Sequence, residues 1–231
     1  YIKKKFAILK PSKEEMKYDK SLSKVLLRVG LPGAFQYSIT AISCILVQAS
    51  LNNFGSDSVA AYSVANKIEN MVTQFYPALG IGISTFAGQN LGAGELKRVR
   101  KGFRVSVYMN IAYSILAFFI CQFFASPMTK LFVDSNTSSP LVIEESILYV
   151  TTMSIFFIPL GFIFIFRTGC QGLGSGKIPM LSAIIELIAR ATTAFSLPYF
   201  FGFLGICLSN AVSWIGAGFI LPFVYLKVLY Y

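Results

Sequence analysis

Long runs without a charged residue divide this sequence into six apolar stretches, and Lys and Arg collect in alternate gaps between them. Before the first stretch stand Lys3, Lys4, Lys5, Lys10, Lys13, Lys17, Lys20, Lys24 and Arg28, against Glu14, Glu15 and Asp19. The next gap holds Asp57. The connection after it carries Lys97, Arg98, Arg100, Lys101 and Arg104, and the following one has Lys130 with Asp134, Glu144 and Glu145. Arg167 and Lys177 mark the fifth gap, the sixth is uncharged, and Lys227 closes the chain. Such a bias orients a chain in a bilayer with its basic connections on the cytoplasmic side. It predicts an all-α, polytopic bundle of six transmembrane helices in a bacterial-type cell membrane, with both termini of this segment cytoplasmic.

Only 13% of the 231 residues are charged and 55% are hydrophobic, too little charge to cover a soluble domain of this size. The surface is expected to face lipid, so the lipid bilayer is the first partner. A net charge of +10 suggests nucleic acid in a soluble protein. Here the positive charge flanks apolar spans and meets anionic headgroups instead, which argues against nucleic acid. Cys44, Cys121, Cys170 and Cys207 occur singly without metal-ligand spacing, and His is absent. The composition therefore predicts no metal, no cofactor and no enzyme, because the commonest general base is missing.

A spanning helix needs roughly 20 apolar residues. Six segments qualify: 31–54, 58–90, 105–125, 147–166, 179–199 and 205–225. Residues 1–28 are expected to form a basic cytoplasmic linker, arriving from an upstream membrane domain, and 29–231 the six-helix lobe. Pro32 is placed near the start of the first span, where a missing N–H is harmless. Pro77 and Pro159 fall inside the second and fourth spans, where each removes a backbone hydrogen bond and is a hinge candidate. Lys67 and Glu69 are expected to snorkel to the outer interface.

Two glycine-rich connections, residues 88–94 and 172–177, resemble phosphate loops superficially but lack the Gly-Lys-Ser/Thr ending and the preceding strand. Both read as helix C-termini with tight turns. The basic run 97–104 is expected along the membrane surface. The fifth span carries the strongest functional signal. Glu186 and Arg190 lie one turn apart in an apolar helix, and Ser182 and Thr193 share their face. Charges at such depth usually face the protein interior and mark an ion or substrate route, or else fasten helices as a mutually neutralising pair. Gln36, Thr40 and Ser43 make a milder stripe on the first span, and Asn66, Asn70 and Thr73 on the second. These serve packing or a pathway. Tyr37, Phe75, Tyr76, Met153 and Phe157 are candidates for an adaptable pocket, with packing as their simpler role.

Several segments in order resemble the second six-helix lobe of the multidrug and toxic compound extrusion (MATE) family. They are Gly30-Leu-Pro32, residues 60–68 (AAYSVANKI), 88–94 (GQNLGAG) before a basic run, 167–174 (RTGCQGLG) before a Pro-led helix, 186–190 (ELIAR), Gly205 and Trp214. The resemblance implies twelve helices in two lobes, this chain being the C-terminal one and lacking the N-terminal six-helix lobe. It also implies a secondary antiporter that exports amphipathic or cationic organic molecules in exchange for H⁺ or Na⁺. Some members carry coupling acids in the first and fourth helices of this lobe. Segments 31–54 and 147–166 contain no Asp or Glu. Coupling is therefore expected mainly in the other lobe, with Glu186 the candidate here. A lipid-linked sugar flippase of related architecture is the alternative, for which Arg190 is the interior cation. A noncatalytic membrane scaffold or inactive half-transporter is the alternative of a different class.

Overall fold

The structure of the chain, a computed structural model, describes residues 17–133 and 139–230. They fold into α-helices joined by short connections: α1 (Lys20–Leu51), α2 (Ser56–Thr73), α3 (Phe75–Gly92), α4 (Leu96–Lys130), α5 (Pro140–Ser154), α6 (Phe157–Gly172), α7 (Lys177–Phe201) and α8 (Phe203–Tyr230). Single 3₁₀ turn Asn52–Phe54 extends α1.

Four segments, 20–54 (α1 with its 3₁₀ turn), 96–130 (α4), 177–201 (α7) and 203–223 of α8, are each long and apolar enough to cross a membrane, and α5 with α6 makes a fifth span bent by 59°. The remaining pair, α2 and α3, falls outside that set. Its Asn, Gln, Lys67 and Glu69 residues dilute the apolar run that was counted as the second span. Packing places it beside the other broken helix: α2 lies along α5, and α3 along α6. α7 is flanked by α1 and α8, α6 also packs on α8, and α4 covers α3, α5 and α6.

Several boundaries differ from the sequence-based expectation. α1 starts at Lys20, because the Asp19 carboxylate accepts hydrogen bonds from the N–H groups of Ser21 (2.7 Å) and Leu22 (3.2 Å). Residues 20–28, assigned to a linker, are thus its first turns; residues 1–16 lie outside the described part. Pro32 consequently sits in the helix interior rather than near its start. It cannot donate to the Arg28 carbonyl. Gly176 fills the notch: a Cβ there would lie 3.0 Å from the Arg28 oxygen and 3.1 Å from Pro32 Cγ. The basic run 97–104, expected along the membrane surface, is the start of α4, continuous with the third span.

Both glycine-rich connections end helices as their composition predicts. Gly94 (φ 76°) and Gly174 (φ 80°) take the left-handed conformation. The N–H of Glu95 then reaches the Asn90 carbonyl (2.8 Å), and that of Ser175 the Cys170 carbonyl (2.9 Å). Between these matched ends, α3 and α6 touch backbone to backbone. A Cβ on Gly80 would lie 2.7 Å from Thr168 Oγ1, one on Gly88 would lie 3.1 Å from the Gly172 oxygen, and one on Gly172 would collide with the Ser84 carbonyl. Gly80, Ser84 and Gly88 recur every fourth residue, the small-residue spacing that brings membrane helices into contact.

Pro77 and Pro159 each occupy the third position after a helix break, at Gln74 and at Ile155–Phe156. α4 satisfies the backbone exposed there. Tyr113 Oη donates to the Val72 carbonyl (2.6 Å), Gln122 Nε2 to the Thr151 carbonyl (3.0 Å), and Asn110 Nδ2 to the Ile158 carbonyl (3.2 Å). Rings pack around the breaks, with Phe75 stacked on Tyr113 at 4.1 Å and Tyr76 edge-on to Phe157 at 6.2 Å. Phe75, Tyr76, Met153 and Phe157 are thus packing residues of the core, whereas Tyr37 is 71% exposed.

Gly172→Ala is expected to destabilise the full-length protein by about 1–3 kcal/mol through overpacking against Ser84. Gly82→Ala, where a Cβ meets nothing within 4 Å, should be neutral or stabilising by up to about 1 kcal/mol. Thermal unfolding in detergent distinguishes the two.

Candidate functional site

The apolar interior of the bundle contains one carboxylate held between two guanidinium groups. Glu186 on α7 accepts from Arg167 Nη2 through Oε2 (2.6 Å) and from Arg190 Nη2 through Oε1 (2.8 Å). All three are buried. The geometry follows from the helices. Glu186 and Arg190 are four residues apart on one face of α7, and α6 reaches that face one turn before its C-terminus, where Arg167 stands. Hydroxyls take further donors: Arg167 Nε donates to Ser182 (3.0 Å), Arg190 Nη1 to Ser43 on α1 (3.1 Å), and Arg190 Nε and Nη2 to Ser213 on α8 (3.3 and 3.0 Å).

From Ser213 the polar chain continues across the bundle. Its hydroxyl donates to the Asn210 carbonyl (2.7 Å), and Asn210 Nδ2 donates to the hydroxyls of Tyr62 on α2 and Tyr149 on α5, 3.2 Å each. Tyr149 in turn donates to Glu69 Oε2 at 2.6 Å. The two tyrosine rings meet edge-on at 5.2 Å. A line of hydrogen bonds, passing through the main chain at Asn210, therefore joins Arg167 to Glu69 through α6, α7, α8, α5 and α2. Glu69 is half-buried, and its carboxylate is met by a hydroxyl, whereas Glu186 is met by two cations.

The structure sorts the residues singled out from the sequence. Ser182, Glu186 and Arg190 share an inward face, as their spacing indicates, and Thr193 donates to the Ala189 carbonyl of its own helix. Gln36 is buried and accepts from Gln171 Nε2 (2.9 Å), tying α1 to α6. Thr40 donates to the Gln36 carbonyl, Asn66 to the Tyr62 carbonyl and Asn70 to the Asn66 carbonyl. The Thr40 and Asn70 bonds close within their own helices, whereas the Asn66 side chain also meets the hydroxyl of Tyr62, a member of the polar chain. Spans one and five meet at Ser43 and Arg190, and the second span touches the same network through Tyr62, with Asn66 beside it.

Two assignments are corrected. Arg167 was counted in a cytoplasmic gap but is 8% exposed and paired. Glu69 was placed at the outer interface by snorkelling but turns inward to a fully buried tyrosine. Arg167 was detectable as a cation one turn inside the end of an apolar run, facing an acid that a single neighbour leaves half-satisfied. Glu69 carried the signal of an acid in a helix already rich in amides. Among the described residues, no three acidic, His or Cys side chains converge as metal ligands, and the four cysteines are unbridged.

Removing the carboxylate strands two buried cations. Glu186→Gln is expected to destabilise the full-length protein by about 3–5 kcal/mol. Ser43→Ala, which keeps both ion pairs and removes one hydroxyl acceptor, should lose about 1 kcal/mol. Chemical denaturation in mild detergent reads both.

Comparison with known proteins places this geometry. The MatE family model matches residues 32–196, well over half of the chain. The chain is 31% identical over 139 residues to the probable multidrug resistance protein YoeA of Bacillus subtilis, covering 60% of this chain and 30% of that protein. It is 28% identical over 205 residues to the probable multidrug resistance protein NorM of Thermotoga maritima, covering 85% and 40%. The fold superposes on the bent form of the Vibrio cholerae MATE transporter VcmN with a TM-score of 0.86 at 20% identity, over 95% of this chain and 50% of that one. The chain thus spans about half of that structure and less than half of those two relatives. An all-helical lobe with two broken helices side by side, matched over most of its length by the family model, belongs to the MATE family of multidrug and toxic compound extrusion transporters.

Proposed function

We propose that this chain forms the C-terminal six-helix lobe of a secondary antiporter, which exports amphipathic or cationic organic compounds in exchange for H⁺ or Na⁺ and is completed by an N-terminal six-helix lobe. Membership of a transporter family and coverage of about half of the solved neighbour support that reading. In the cell membrane, the basic ends of α1 and α4 lie on the cytoplasmic side, following the charge bias.

One observation carries the coupling assignment: Glu69 is the carboxylate of the buried polar chain whose partner is a hydroxyl. A carboxylate neutralised by two guanidinium groups has no need of a further cation, so Glu186 is assigned to structure. A carboxylate met by Tyr149 can take a proton or Na⁺, and Tyr149 reports that occupancy through Asn210 to the triad on α7. The broken helices give the lobe its joints, with Pro77 and Pro159 as the residues that keep α2–α3 and α5–α6 from closing into continuous helices.

Among the described residues, both buried arginines are tied to Glu186, which leaves no free interior cation for a pyrophosphate headgroup and disfavours the flippase alternative. An inactive scaffold predicts that no carboxylate of the lobe affects transport.

Gradient-driven efflux of a fluorescent organic cation from vesicles containing the full-length protein tests these assignments. Glu69→Gln is expected to abolish ion-driven export while substrate binding and thermal stability remain near wild type. Tyr149→Phe should retain export but shift its dependence on pH or Na⁺. Export by Glu69→Gln at the wild-type rate would move coupling out of this lobe. Pro159→Ala is expected to slow export without altering substrate affinity, and an unchanged rate would reduce the bend to packing.

A further inference from the structure

A groove of about 410 Å³ runs between α3 and α4 and belongs to neither the polar chain nor the breaks. α3 contributes Leu79, Gly82, Ile83 and Phe86, and α4 contributes Arg98, Lys101, Gly102 and Val105. Both sets follow the spacing of a single helix face. The two helices are antiparallel about the Gly94 turn, so Arg98 and Lys101 lie at the turn end and Leu79 and Val105 lie deeper along the span.

Two glycines shape the trough. A Cβ on Gly102 would collide with the Phe86 ring at 2.5 Å, so that glycine seats the ring against α4. At Gly82 a Cβ meets nothing within 4 Å, which leaves an open strip beside Ile83. The flanking residues face outward, with Ile81 65%, Val105 47% and Tyr108 64% exposed. Arg98 and Lys101 are exposed too, and among the described residues neither has an ion-pair partner. Over residues 95–104, five cations stand against Glu95 alone.

We propose that this groove is a binding site for one anionic phospholipid, its phosphate on Arg98 and Lys101 and one acyl chain along Gly82, Ile83 and Leu79. An apolar trough exposed toward the hydrocarbon fits a lipid tail and gives a soluble anion nothing to occupy. Two cations that make no ion pair, in a stretch where five cations outnumber the single carboxylate of Glu95, fit a headgroup of net negative charge better than a zwitterionic one. The basic end of α4 is thereby anchored by a particular lipid as well as by the diffuse surface potential. The site is independent of the coupling assignment.

The test uses the full-length protein, purified and delipidated in a neutral detergent. Native mass spectrometry and thermal unfolding are followed with phosphatidylglycerol, phosphatidylethanolamine or inorganic phosphate. Phosphatidylglycerol should bind and raise the unfolding temperature, and the other two should not. Combining Arg98→Gln with Lys101→Gln is expected to weaken that binding about thirtyfold, at about fivefold per cation. Gly82→Phe, which fills the trough from an open position with both cations intact, should displace the lipid. Lys130→Gln, at the opposite end of α4, should bind as wild type. Undiminished binding in both groove variants overturns the proposal. So does equal stabilisation by phosphatidylethanolamine or by inorganic phosphate, or a dimer covering the groove that phosphatidylglycerol does not dissociate.

Discussion

Every ionised group carried into the interior of this lobe has to be answered by another protein group, since hydrocarbon answers nothing. Glu186 does this for two helices at once. Its two oxygens hold Arg167 and Arg190 from α6 and α7, and the arginines spend further donors on Ser182, Ser43 and Ser213. Four helices are thereby fixed in register by three charged side chains. The triad's net charge is positive, and Glu69 supplies the balancing negative charge when ionised.

The backbone follows the same rule. Breaking a membrane helix exposes carbonyls, and the lobe breaks two helices side by side. α4 is a single unbroken helix of 35 residues, and it carries the tyrosine and glutamine that meet carbonyls at the ends of α2 and α5 and the asparagine that meets the first turn of α6. An unbroken helix thus serves as the splint for two broken ones.

Much of the architecture was legible in the charge order, because insertion in a bilayer leaves so few solutions. The glycine turns were legible too, since Gly94 and Gly174 stand where a helix must reverse. Boundaries were less so. Charge marks where lipid ends, whereas Asp19 marks where the helix begins, and the two differ at α1. Arg167 was misplaced for a related reason: one turn of helix separates a cytoplasmic arginine from a buried one, and its partner is nineteen residues on in another helix. The second span was counted as apolar although its Asn and Gln content lowers it below the other helices. Its place is secured by α5 and α6, a tertiary fact. Glu69 could be placed only once Tyr149 was known to lie beside it.

The glycine and serine seam between α3 and α6 has a mechanical consequence. Backbones in direct contact cannot slide by a turn without driving a carbonyl into a Cα, so the halves below the two breaks form one slab. Above the breaks, α2 and α5 are joined by side-chain contacts, among them Ser146 on the Ala61 carbonyl, Tyr149 on Glu69 and the Tyr62–Tyr149 ring pair. The lobe is consequently stiff at its basic end and compliant at the other. Glu69 stands on that compliant end, at the free arms of a pair of levers whose bases are welded together.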